Sequence, residues 1–437
     1  MMMSVVGLGK LGLPLLASIA SKGYPVWGFD INSLLISDLK TGIVKLNETG
    51  LKGLVLDYKD NIHPTSKLEE AVLNSEVTFI IIPTPSQKNG YFSLKYINEV
   101  IKNIGKVLKK KKEYHLVVIV STVMPGSTDK IKNLLEKYSG KICGKDFGLC
   151  YNPEFIALGS VIFNLLNPDF ILIGESDKKS GDILEKFYLT YCDNKPRIAR
   201  MNFINAELAK ISVNTFITTK ISYANMLSEI CEKLPGGDVD VVTQTIGLDS
   251  RIGGKYFKGG AAFGGPCFPR DNIAFISLAK RLKSTSSIPQ ATHSTNLRQL
   301  SRLTEKVLQY WRPNKTVAII GVSYKPFTDV IDESTGLLLA QALKEKNVRL
   351  NLHDPLALKN AEKVLGLSGV EYIKNLKDCV LSSDILVITT NWPEFENITE
   401  SWFNGKEKVI IDPWRMINAT KFAKNITYLP LGINVLE

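Results

Sequence analysis

The chain has 437 residues, 44% hydrophobic and 22% charged, which suits two or three globular domains and excludes a disordered chain. Its 54 basic residues exceed its 43 acidic ones by 11. With no zinc-finger or RNP-like motif present, a lysine-rich surface accounts for that excess without nucleic-acid binding, and an anionic small substrate is compatible with it.

The first third alternates short apolar runs with helical spacing. SVVGLG, YPVWGFD, VTFIIIPTP, LVVIVST, FGLCYN and FILIGES read as strands, and their near-continuous apolar character suits a buried parallel sheet with helices between. The N-terminal MMMSVVGLGKLGLPLLASIA lacks the basic flank of a signal peptide, and its glycines are spaced for a strand, a turn and a helix. No apolar run reaches the roughly 20 residues that cross a bilayer, so a cytosolic protein without a membrane partner is expected. From Asn205 to Glu232, Leu208, Ile211, Phe216, Ile221, Leu227 and Ile230 recur at helical spacing, which predicts one long helix broken by LPGGD. Such a helix serves as a spine between domains or as a dimer face. A second α/β pattern begins near residue 315, with TVAIIGVSY, VRLNLHDP, DILVITTNW and KVIIDPWR as strands. The expected fold class is therefore α/β, with two Rossmann-like doubly wound domains joined by a central long-helix domain.

Gly7, Gly9 and Gly12 form GLGKLG between the first strand and the first helix. The first allows the tight turn, the second a close backbone approach to a pyrophosphate, and the third helix–strand packing. Asp30 ends the next strand, 18 residues beyond Gly12, where an acid meets the adenosine ribose hydroxyls. An aspartate there favours NAD, since it would repel the 2′-phosphate of NADP.

The six cysteines form no CxxC pair and the four histidines are scattered, which argues against a disulfide framework and a metal site. Cys267 differs from the other five. In FGGPCFPRDN it follows Gly264 and Gly265, which permit close backbone approach to a ligand, and it precedes Pro269, well placed to open a helix. A thiol at a helix N-terminus should be a better nucleophile. Asp271 falls on the same face if that helix starts near Cys267. Lys210 and Asn214 share a face of the long helix at i, i+4 and are polar within an apolar stretch, where a buried lysine must meet a partner or ligand; a solvated helix edge is the alternative.

Over nearly its whole length the chain resembles the UDP-glucose/GDP-mannose dehydrogenase family. The resemblance rests on GLGKLG, GFDIN, PTP (83–85), STVMPG (121–126), NPEF (152–155), AELAKISVNTF (206–216), DSRIG (249–253), FGGPCFPRD (263–271), VSYKPFTD (322–329) and IIDPWR (410–415), in the family's order. It implies an NAD-binding domain over residues 1–200, a central helical and dimerisation domain carrying the Cys segment over 201–300, and a nucleotide-sugar domain over 310–437. It also implies a nucleotide-activated hexose oxidised at C6 in two NAD-dependent steps. Cys267 matches the nucleophile, forming a thiohemiacetal and then a thioester; Glu154 matches the base for its hydrolysis. Lys210 and Asn214 match groups that steady the oxyanion and bound water, and Asp271 and Thr122 match the proton and water network. For the cofactor the resemblance adds Leu11, Pro83, Thr84, Ser121, Thr122 and Arg270 to the glycines and Asp30. For the nucleotide sugar it points to Phe155, Arg251, Tyr256, Lys258, Phe263, Gly264, Lys325 and Arg415. The family's counterpart of Arg251 crosses a dimer interface, so a homodimer or an assembly of dimers is expected.

Three positions depart from the family pattern. Leu158 stands where a glutamate is usual after NPEF, and Asp332 stands where an arginine is expected at the cofactor phosphates. Losing an acid and a base together would avoid stranding either one. Pro266 replaces a serine beside Cys267, removing a hydroxyl and a backbone donor. UDP-glucose is the first substrate expected, with UDP-N-acetylhexosamine and GDP-mannose as alternatives. A two-electron β-hydroxyacid-type dehydrogenase shares the cofactor turn and the lysine–asparagine pair but needs no thiol. A non-catalytic NAD- or nucleotide-sugar-binding homologue would retain the fold without turnover.

Overall fold

The computed structural model describes residues 1–156, 158–418, 422 and 424–434. The chain divides into two compact units, Met1–Ser212 and Val213–Glu437, and the division falls within one continuous helix, Phe203–Cys231. That helix is the predicted long one, beginning two residues before Asn205 and ending one before Glu232.

The first unit holds β1 (Met3–Val6), β2 (Val26–Phe29), β3 (Ile62–Thr65), β4 (Val77–Ile80), β5 (His115–Ile119), β6 (Phe147–Tyr151), β7 (Phe170–Glu175) and β8 (Arg197–Met201). They form one sheet in the order β3-β2-β1-β4-β5-β6-β7-β8. The order reverses between β1 and β4, which opens a crevice at the carboxyl ends of these strands. Six strands are the predicted apolar runs. The parallel expectation fails once: β7 pairs antiparallel to β6 through Cys150–Glu175 and Tyr151–Gly174. A fully buried strand reads the same in either direction, because both faces are covered whichever way it runs. The helix Gly12–Ser21 is buried from Gly12 through Ala20, which accounts for its nearly unbroken apolar sequence. Among the described residues no helix is long and apolar enough to cross a membrane.

The second unit holds β9 (Thr316–Ile320), β10 (Arg349–His353), β11 (Val370–Tyr372), β12 (Ile385–Ile388), β13 (Lys408–Asp412) and β14 (Ile426–Pro430), all parallel, in the order β11-β10-β9-β12-β13-β14. This repeats the first six positions of the other sheet. Three local devices repeat as well. A Cβ on Gly12 would collide with the Gly7 carbonyl, and one on Gly336 with the Gly321 carbonyl. Asp30 accepts the Leu8 N–H at 2.8 Å, and Asp354 accepts those of Val322 and Ser323 at 2.8 Å. Lys111 Nζ donates to the carbonyls of Val72, Leu73 and Ser75 at the end of helix Leu68–Leu73; Lys408 Nζ does the same to Val380, Leu381 and Ser383 after Leu376–Leu381. A cation there satisfies orphan carbonyls and complements the helix dipole.

Candidate active site

In the first unit the cofactor candidates line the carboxyl ends of β1, β2, β4 and β5. Gly7 has φ +94°, a backbone that an L side chain rarely adopts, and its Cβ would collide with the Ile81 carbonyl. Gly12 is equally confined, whereas a Cβ on Gly9 would meet open space. That contrast fits a dinucleotide: Gly7 and Gly12 serve the turn and the helix–strand packing, and Gly9 leaves room for a pyrophosphate at a helix N-terminus. Asp30 is held by the Leu8 and Asn32 N–H groups, each at 2.8 Å, at the end of β2. The loops after β4 and β5 are tied together. Thr84 Oγ1 donates to the Thr122 carbonyl at 2.9 Å, and Ser121 Oγ pairs with both N–H and C=O of Ile82. Pro83 is exposed beside Thr84, and Leu11 packs against the core.

Glu154 lies in the stretch after β6. Burial pushes its carboxyl up to about 7, although the neighbouring Lys210 charge and the Tyr188 hydroxyl both pull it down. Lys210, itself buried, donates from Nζ to the Glu154 carbonyl oxygen at 2.6 Å and sits 4.3 Å from the Phe155 ring centroid. The spacing-based alternative of a solvated edge for Lys210 therefore does not hold. Thr122 and Phe155 are half-buried. Glu207, one turn before Lys210, accepts from the Gly126 and Thr128 N–H groups at 2.6 and 2.7 Å, fastening the STVMPG loop to the long helix. Leu158 packs into the apolar core, and Glu48 takes the N–H groups of Gly159 and Val161 at 2.9 and 2.8 Å, holding this loop by another route.

In the second unit Cys267 is the N-cap residue of helix Phe268–Arg281, with Pro269 in its first turn, as the FGGPCFPRDN pattern predicts. It is exposed, whereas burial pushes the Cys192 and Cys379 thiols up to about 12 and Cys150 well above its ordinary value. The Asp271 N–H donates to the Cys267 carbonyl at 2.8 Å, so Asp271 stands one turn on. Its buried carboxylate accepts from Asn214 Nδ2 at 2.6 Å and from Arg270 Nε at 3.4 Å. Gly264 and Gly265 are confined: a Cβ on Gly264 would collide with the Glu333 carbonyl, and one on Gly265 would strike the Tyr324 ring. The Gly265 N–H donates to the Asp332 carbonyl at 2.8 Å, so Asp332 supports this turn through its backbone while its side chain is exposed. Phe263 is held by reciprocal bonds with Asn296 at 2.8 and 2.9 Å.

The nucleotide-sugar candidates are placed less uniformly. Arg251 is 87% exposed and paired with Asp249 at 2.6 Å; Tyr256 and Lys258 are exposed, and Lys325 is half-buried. Arg415 departs from the expectation of a substrate ligand. Its Nε and Nη2 grip Asp240 at 2.7 and 2.9 Å, Nη1 donates to the carbonyls of Pro413 and Leu431, and Nη2 also donates to Gly259, each at 2.6 Å. All five donors are taken in a side chain only 4% exposed, which makes Arg415 a strut in this conformation. Asn152, Tyr188, Glu207, Asn296 and Tyr324 were not singled out by sequence reasoning. Glu207 and Asn152 lie inside recognised motifs, whereas nothing local marks Tyr188, which reaches Glu154 from 34 residues away.

A glycine turn at the reversal point of a doubly wound sheet, with a carboxylate closing the second strand, characterises an NAD-dependent dehydrogenase. Residues 1–192 match the NAD binding domain of the UDP-glucose/GDP-mannose dehydrogenase family, 204–298 its central domain and 318–419 its UDP binding domain; the chain belongs to that family. It is 31% identical to the UDP-glucose 6-dehydrogenase AglM of Haloferax volcanii, over 95% of this chain and 97% of that one. A UDP-glucose dehydrogenase from Pyrobaculum islandicum superposes with TM-score 0.88 at 30% identity, covering 99% of this chain and 97% of the other. The UDP-D-ManNAc dehydrogenase of Pyrococcus horikoshii superposes at 0.84 with 25% identity, covering 99% of both chains.

Proposed function

We propose that the chain oxidises the C6 alcohol of a UDP-hexose to a carboxylate in two NAD-dependent steps, with UDP-glucose to UDP-glucuronate as the leading substrate pair. The single observation that carries this reading is Cys267: an exposed thiol at a helix N-terminus, one turn from a buried Asp271–Asn214 pair. Gly7, Gly9, Gly12 and Asp30 would hold NAD, which would supply the hydride acceptor for both oxidations. The first leaves an aldehyde at C6. The Cys267 sulfur bonds to that carbon, giving a thiohemiacetal, and loss of the second hydride leaves a thioester. Water then attacks, Glu154 takes its proton, and the C–S bond breaks to return the thiol and release the acid. Atoms and electrons balance with one water consumed, two hydrides transferred and three protons released per sugar.

The residues suit these roles. Lys210 is anchored on the Glu154 carbonyl, which fixes a cation beside the base and gives a developing oxyanion a preorganised partner. Asn214 is fixed by Asp271. Glu154 titrates near neutrality, where a general base is most effective. Thr122, held by the Thr84 contact, belongs to the water network. Residues 1–200, 201–300 and 310–437 are assigned to cofactor, dimer and nucleotide-sugar binding respectively. UDP-N-acetylhexosamine and GDP-mannose are the alternative substrates. A homodimer is supported by the long helix, which turns polar Asn214, Thr218, Ser222 and Asn225 inward and leaves Phe216, Tyr223, Met226 and Ile230 exposed. The test is intact-mass analysis of enzyme quenched during turnover. A uronyl adduct that maps to Cys267 is expected; multiple turnovers to carboxylate with an unmodified thiol throughout, and unchanged rates in Cys267→Ser, would overturn the thioester route.

A further inference from the structure

The sequence assigns nothing to the helix Lys178–Tyr191, yet its Tyr188 sits at the candidate base. The ring is buried, and the hydroxyl faces two acceptors: the Asn152 Oδ1, at short range, and the Glu154 Oε1 at 3.4 Å. Asn152 is fixed by its own Nδ2, which donates to the Leu172 carbonyl at 2.9 Å, so its Oδ1 is aimed at the tyrosine. A tyrosine hydroxyl has one proton to donate and can also accept. It can therefore serve only one of these two oxygens at a time.

We propose that Tyr188 is a positioning residue for Glu154, a two-state hydrogen-bond partner whose single O–H donates alternately to Asn152 and to the Glu154 carboxylate as Glu154 gains and loses its proton. With Glu154 ionised, the Tyr188 O–H turns to the carboxylate. With Glu154 protonated, the Tyr188 O–H turns to Asn152, and its oxygen is left to accept from the Glu154 carboxyl. No bond other than hydrogen bonds changes, and the proton Glu154 carries comes from the attacking water. Asn152 thus competes with Glu154 for one donor, and its presence keeps the base less acidic than Tyr188 alone would make it. The other groups near Glu154 do not switch. Lys210, on the long helix, donates to the Glu154 carbonyl, and Tyr191 and Cys192 at the end of the tyrosine's own helix lie within electrostatic reach with their thiol and phenol protonated.

This rests on Glu154 acting as the base in the proposed reaction, and the experiment separates the two ideas. The pH dependence of kcat would be measured for the full-length wild type and for Tyr188→Phe, Asn152→Ala and Glu154→Gln. In parallel, the pH dependence of denaturant stability would be measured without cofactor or substrate. Tyr188→Phe removes the donor to the ionised carboxylate, so the acid limb near pH 7 should move up by roughly one unit. Asn152→Ala frees that donor for Glu154, so the limb should move down. The stability inflection should move in the same two directions. Shifts of the same sign in both variants, or none in either, would overturn the switch, because loosened packing alone does not produce opposite signs. An acid limb that survives unchanged in Glu154→Gln would instead overturn the assignment of Glu154 as the base.

Discussion

Asn214 donates to the Asp271 carboxylate at 2.6 Å, joining the long helix to the first turn of the helix that Cys267 caps. Asp271 is 1% exposed, so its charge depends on Asn214 and Arg270 for hydrogen bonds. Asn214→Ala should lower stability by about 1–3 kcal/mol, the cost of a buried group left short of a partner. If the amide also steadies the oxyanion, kcat should fall on the order of 100-fold as well. Denaturant titration and steady-state kinetics separate these effects; an unchanged kcat would limit Asn214 to structure.

Alkylation should distinguish the cysteines. Iodoacetamide under native conditions is expected to modify Cys267 ahead of Cys150, Cys192, Cys231 and Cys379, which are buried and whose burial raises their thiols. Peptide mapping checks this. Equal labelling of Cys267 and the buried thiols would contradict the exposed placement.

Two glycines of the cofactor turn, Gly9 and Gly12, should respond differently to the same methyl group. Gly9→Ala meets open space in the protein, so it should fold normally and weaken NAD binding by tenfold or more through contact with the pyrophosphate. Gly12→Ala collides with the Gly7 carbonyl and should lower stability as well. Thermal unfolding together with NAD titration by calorimetry tests both. Normal NAD affinity in Gly9→Ala would remove the basis for the glycine assignments.

Glu154 also predicts a pH effect on stability. Its carboxyl, ordinarily near 4.5, is raised to about 7 by burial. Between those values the folded state holds a proton that the unfolded state has lost, so this group's contribution to stability falls as pH rises through that window. Glu154→Gln should flatten the fall, as measured by denaturant titration from pH 4.5 to 8. An identical slope in wild type and variant would contradict the raised value.

Arg415 provides a contrast with Arg251. Breaking its pair with Asp240 in Arg415→Ala should cost on the order of 3 kcal/mol, since the strut is buried and Asp240 loses its partner. Arg251→Ala, at an 87% exposed side chain, should leave stability nearly unchanged and raise KM for the sugar nucleotide. Unfolding curves and KM values for both variants decide whether Arg415 is a strut or a ligand.

The strands read from sequence and those missed divide along one physical line. All ten predicted strands are interior to their sheets, where most of each strand is covered and the sequence is mostly apolar, with RLNLH of β10 the least so. Among the described residues, the four missed, β3, β8, β11 and β14, are the edges of the two sheets, short or half-exposed, as IHPT, RIARM, VEY and ITYLP show. The antiparallel β7 was hidden for a related reason, because burial leaves no mark of direction. Site residues clustered in sequence, such as Cys267 with Asp271, were legible. Those assembled from distant segments were not: Tyr188 and Asn152 come from a helix and a strand end whose proximity only the fold creates. Along the long helix the recurring apolar residues do not mark the buried face, since Phe216 and Ile230 are exposed and Glu207 is buried, whereas Lys210 and Asn214 are buried as the first reading of their spacing required. Helical spacing gave the element correctly but not which face turns inward.

The central claim is a four-electron oxidation through Cys267, and the stoichiometry of NADH to product tests it most directly. With UDP-glucose, UDP-N-acetylhexosamines and GDP-mannose supplied in turn, NADH absorbance and product mass should give two NADH and one carboxylate per sugar for one of them. One NADH per sugar with an aldehyde or ketone product, or no turnover in folded protein that binds NAD, would contradict the account.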